Sequence, residues 1–135
     1  MIKELNLYLD GEMSDDYWYD EAISICEDIL KQFSKAEWNE LLELIPSNDN
    51  VWNLRLVECL GNINQPYDLS CILKMINTDN YDVFTVCIDS LREVDLSLIP
   101  QNEKELIRDR IMHKIEVSSL PVQKMYESFL KKLQE

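Results

Sequence analysis

A chain of 135 residues is long enough for one domain with its own core and short for two of ordinary size. Hydrophobic residues make up 46% of it, which excludes a disordered tail, and two glycines with four prolines leave little material for hairpin turns, so helices are expected. Thirteen basic against 26 acidic residues give a net charge of −13, which makes nucleic acid a poor partner because a phosphate backbone calls for Lys and Arg.

In chain order, the opening "MIKELNLYLDGE" acquires charge too soon for a signal peptide, and no apolar run anywhere approaches the roughly 20 residues of a membrane span. A cytoplasmic protein that does not engage the membrane is expected. Ile2, Leu5 and Leu9 fit a helix, whereas Leu5, Leu7 and Leu9 fit a strand; a short helix ending at Gly11 is the favoured reading. Apolar residues then recur at helical spacing, which predicts helices over 15–33, 35–45, 50–63, 66–76, 81–94, 101–116 and 121–134, joined by polar segments such as "PSNDN" and "NTDNY". The fold class is all-α within a single domain, 1–135.

The first long helix begins with "SDDYWYDE" (14–21), three rings fenced by four carboxylates. Ser14 suits the N-cap, and Asp15 and Asp16 complement the positive end of the helix dipole. On an ideal helix Trp18 lines up with Ala22, Ile25 and Ile29, and Tyr19 with Ile23, Cys26 and Leu30, so both rings are expected in the core. Tyr17 lines up with Glu21, Ser24 and Asp28 on the polar face. There, with Asp16 and Asp20 beside it, it offers charge and ring contact together to a lysine or arginine.

Sliding the chain by 31 residues exposes a repeat. Trp38, Leu41, Leu42, Leu44 and Ile45 fall on Leu69, Ile72, Leu73, Met75 and Ile76; Leu56, Val57, Leu60 and Ile63 fall on Cys87, Ile88, Leu91 and Val94; and Ile25, Cys26 and Ile29 precede the second series. Helix pairs this short cannot bury an apolar face alone and must stack, which predicts an α-solenoid of about three to four hairpins, the last, with Pro100 and Pro121 near its helix starts, acting as a cap. The segments "DNVWNLRLVECLGNI" (49–63) and "DNYDVFTVCIDSLREV" (79–94) resemble short HEAT-like repeats, in which an Asp-rich turn leads into a helix ending Leu-Gly. The size, the acidity and the Trp-x-x-Arg helix start are most similar to the small acidic HEAT-like immunity proteins of bacterial polymorphic-toxin and contact-dependent inhibition systems. Arg55 stands later in its helix than the arginine of such repeats, and Val86 takes its place in the next one.

The same shift sets Glu27, Glu58 and Asp89 at equivalent places on second helices, a column of carboxylates that, in arrays of the kind resembled, lines the concave docking surface. The plainer reading is pairing within each helix, of Glu27 with Lys31, Glu58 with Arg55 and Asp89 with Arg92. Tyr81 and Asp82 add a ring and a carboxylate at the next helix start. Trp38 and Trp52 read as inter-helix core. Cys26, Cys59, Cys71 and Cys87 lack metal or redox spacing and read as small core residues, and His113 reads as solvated. No Gly-rich phosphate loop and no nucleophile motif is present, so neither catalysis nor a cofactor or metal is expected.

Residues 1–30 carry nine acids against Lys3 alone, whereas 104–132 carries seven bases, including Lys104, Arg108 and Lys114, against four acids. A field concentrated in this way steers a basic partner. What the resemblance implies is a non-catalytic immunity protein that covers a basic toxin domain, a nuclease being the commonest case, with Asp and Glu imitating phosphates. Tyr17 and Tyr81 would serve as anchors. The alternative is an adaptor or scaffold that uses the same surface on a host protein.

Overall fold

The computed structural model describes residues 1–61 and 66–134, and every regular element among them is helical. The contacts gather into two compact units, Met1–Cys87 and Ile88–Glu135. The predicted end of one helix, at Asn62 and Ile63, lies outside the described residues.

In the first unit, α1 (Ile2–Leu9) buries Leu5 and Leu9 and leaves Leu7 73% exposed, which is why a helix and not a strand forms there: alternation would have put all three on one face. Residues 15–31 form one continuous helix in three parts, α2 (Asp15–Tyr17), a π-helical turn (Trp18–Ala22) and α3 (Ile23–Lys31). The Ser14 side chain accepts from the Tyr17 N–H at 3.1 Å, as an N-cap does. In the π turn the Ile23 N–H reaches back to the Trp18 carbonyl, five residues away.

That wider turn corrects one sequence expectation. Each residue rotates less about the axis than in an α-helix, which turns the residues ahead of it relative to α3: Trp18 stays buried with Ala22, while Tyr19 swings out of the core to 58% exposure. Tyr17 stays outside, at 40%.

Then follow α4 (Lys35–Leu44), α5 (Asn50–Leu60), α6 (Tyr67–Met75) and the first part of α7 (Tyr81–Leu91), within which the boundary between the units falls. Local chemistry fixes their starts. Ser34 and Glu37 make a reciprocal capping box, and the Ser34 N–H holds the Glu37 carboxyl below its ordinary value. Asp49 accepts from the Trp52 N–H at 2.9 Å, and Asn80 from the Val83 N–H at 3.0 Å. α5 ends on Gly61, whose φ of 49° is open to a residue without Cβ.

Packing follows the repeat. α3 lies on α5, α4 on α6, and α1 covers both α3 and α5. Residues related by the 31-residue shift share their burial, including Trp38 with Leu69, Leu41 with Ile72, Ile45 with Ile76 and Leu56 with Cys87. The buried Trp38 ring meets Phe33 edge-on at 5.3 Å and stacks on Tyr67 at 5.4 Å with 5° between planes, tying α4 to α6. Trp52 is buried with its indole N–H donated to the Asn6 side chain at 3.0 Å. All four cysteines are buried and unbridged.

The second unit contains the end of α7, α8 (Gln101–Lys114) and α9 (Leu120–Gln134), with 3-10 turns at Leu96–Leu98 and Ile115–Val117. Its core is Ile88, Leu91, Val94, Leu96, Ile99, Ile107, Ile111, Tyr126 and Phe129. Pro100 and Pro121 sit at helix starts as expected.

Candidate functional site

The sequence-predicted residues fall into four groups. Asp16, Asp20, Glu21 and Asp28 are exposed on the 15–31 helix with Tyr17 among them. Glu27 and Glu58 are half-buried and flank the α3–α5 contact, where both act on the Cys59 thiol. Tyr81 is half-buried and Asp82 exposed at the start of α7. Asp89 belongs to the second unit, exposed and paired with Arg92 at 2.8 Å.

Of the intrahelical pairs read from spacing, Asp89 with Arg92 forms, but the other two do not. Lys31 turns to Asp28, at 3.9 Å, and not to Glu27. Arg55 does not reach Glu58. Its guanidinium donates to the carbonyls of Tyr8 at 3.1 Å, Leu9 at 3.1 Å and Gly11 at 2.7 Å, closing the C-terminus of α1, and lies 5.2 Å above the Trp18 ring. Three helix-end carbonyls, the negative end of a dipole and an aromatic face outweigh one mobile carboxylate.

Glu58 is left without a cation and takes a different partner. Its carboxylate acts on the Tyr19 hydroxyl, which the π turn has brought to the surface; the polar interaction with Glu58, then partial burial and the charges of Glu58 and Asp15, push the Tyr19 hydroxyl above its ordinary value. Tyr19 is therefore a surface residue that helical periodicity misplaces.

Beneath this surface, between α3 and α5, the Cys26 thiol, then burial, then the charges of Glu27 and Glu58, push the Cys59 thiol far above its ordinary value. Burial, with Asp68 adding to it, pushes the Cys71 thiol up to about 12. The Cys59 and Cys71 thiols hold their protons and behave as core atoms.

Among the described residues no group of His, Cys, Asp and Glu side chains can hold a metal ion, and no helix is long and apolar enough to cross a membrane. Comparison with protein-family models, with curated proteins and with solved structures returned no match. The arrangement is chemically suited to capture of cations. Carboxylates at Asp15, Asp16, Asp20, Glu21, Glu27 and Glu58 have no ion-pair partner among the described residues, and Tyr17 and Tyr19 are interleaved with them.

Proposed function

We propose that this protein is a non-catalytic binding module, a small stack of HEAT-like hairpins whose acidic face captures a basic protein, and that it acts as an immunity protein against a cognate toxin domain. The observation that carries the reading is the commitment of Arg55 to the backbone of α1, which withdraws the nearest cation from Glu58 and leaves it, with the carboxylates of the 15–31 helix other than Asp28, without an ion-pair partner among the described residues. Clustering like charges opposes folding, and an oppositely charged partner repays that cost. The rings of Tyr17 and Tyr19 give the surface apolar area to bury and flat faces for guanidinium groups.

The packing of α3 on α5 and α4 on α6 supports the stacked-hairpin arrangement, since helices of the same rank in successive repeats are neighbours. Electrostatics sets the association rate, and the tyrosines set the lifetime of the complex.

The test is a titration against the C-terminal domain of the protein encoded directly upstream of this gene. Association should slow steeply with added salt, and by about tenfold or more when Asp16→Lys, Asp20→Lys and Glu58→Lys are combined. Salt-independent association, or a triple variant that associates as fast as the parent, overturns the electrostatic reading. A tight complex with a host protein and none with the upstream product would favour an adaptor.

A further inference from the structure

Away from the acidic helix, the joint between α4 and α5 and the joint between α6 and α7 border a groove of about 790 Å³. Its lining is unlike the rest of this acidic chain. Ile45, Pro46 and Met75 supply apolar walls, and five asparagines line it, at 48, 50, 53, 77 and 80. Lys74 and Asp79, both exposed, bring opposite charges that balance.

The hydrogen-bond inventory gives the groove a polarity. Asn48 uses its amide N–H on the Leu44 carbonyl at 2.7 Å and Asn77 on the Leu73 carbonyl at 3.5 Å, so each has its side-chain oxygen left over. These bonds also fix which end of each amide is oxygen, since only the nitrogen can donate to a carbonyl. Asn80 is oriented the opposite way, its oxygen accepting from the Val83 N–H.

Asn53 is the decisive residue. It lines the groove at only 8% exposure, and its Oδ1, shut off from solvent, has no hydrogen-bond partner. A buried acceptor without a donor is a standing cost to the fold, which a ligand bringing an N–H recovers. The lining of the groove thus includes the unused oxygens of Asn48, Asn53 and Asn77 and the Asp79 carboxylate.

We infer that this groove is a second contact site, one that receives an arginine side chain of the partner protein. A guanidinium is planar, has five N–H donors and no acceptor, and gives up its hydration more readily than an ammonium, so it suits several amide oxygens beside one carboxylate. With Lys74 cancelling Asp79, bare positive charge gains little, and donor geometry does the selecting. The inference rests on the reading of a basic protein as partner and adds to it where an arginine is held.

The experiment is a nitrogen-15 NMR titration of the full chain with N-acetyl-arginine methylamide and, separately, with its lysine counterpart, following the side-chain amide signals of the asparagines. The expected result is saturable shifts at Asn53 and Asn77 with the arginine probe, about tenfold tighter than with the lysine probe, since a shape-matched fork exceeds a point charge by that order. Asn53→Leu, which keeps the branched shape without a polar atom, and Asn77→Ala, at an exposed position, should each weaken the arginine probe, while in the combined Asp16→Lys, Asp20→Lys and Glu58→Lys variant the probe should still shift Asn53 and Asn77. Equal affinity for the two probes, shifts confined to residues 15–28, or unchanged binding in both asparagine variants overturns the groove assignment. Loss of toxin-domain binding with the groove titration intact would remove the proposed function and spare the arginine site.

Discussion

Two helix ends in this molecule are closed by a cation from far along the chain, and they are closed differently. In the first unit Arg55 reaches three carbonyls at the end of α1 and lies over the Trp18 ring. In the second unit the Lys132 ammonium donates to the carbonyl of Arg92 and, at 2.9 Å, to that of Val94, where the chain leaves α7. A forked guanidinium can serve several fixed acceptors and an aromatic face together, whereas an ammonium is a point donor that keeps part of its water. The first closure joins α1 to α5 through the core boundary. The second tacks down a chain segment at the surface.

The contrast should be measurable. Arg55→Met keeps the side-chain stem but orphans three part-buried carbonyls, and should lower unfolding stability in urea by about 3 kcal/mol. Lys132→Met should cost about 1 kcal/mol in the same assay, because water can replace the lost donor. Equal losses would erase the distinction between the two closures. Arg92→Ala, which breaks an exposed pair with Asp89, should move stability by less than about 0.5 kcal/mol.

The smallest effect is spectroscopic. The Tyr19 hydroxyl should ionise above the ordinary value of 10.0, and Glu58→Gln should bring it back towards that value in an ultraviolet titration. The interaction with Glu58 favours the protonated phenol. Its contribution is therefore full below the unfolded value and disappears as pH rises through the higher folded one. A Tyr19 hydroxyl that titrates normally would mean that Glu58 is free of it.

Much of the fold is legible in the residues because it rests on local rules. The helical period, the cap at Ser14, the proline starts and the burial of Trp38, Trp52 and the four cysteines follow from spacing and side-chain size alone. The exposure of Tyr17 follows in the same way. Three features do not, each for a physical reason. Periodicity assumes a constant turn, so the π segment, and with it the position of Tyr19, escapes it. Spacing offers Arg55 a carboxylate one turn away, but its actual acceptors lie 44 to 47 residues distant and become a site only when α1 docks. The asparagines of "PSNDN" and "NTDNY" look like ordinary turn formers, and only the approach of two joints makes them walls of one groove.

The π turn has one more consequence. A five-residue turn is what results when a helix gains a residue while both of its ends stay anchored, here by the Ser14 cap and by the packing of α3 on α5. Losing one codon from the stretch 18–22 should let the backbone revert to an ordinary coil spacing, with the flanking segments still in place and a different ring facing outward. This short stretch is thus a spot where insertion or deletion, and not substitution, redraws which ring stands on the surface.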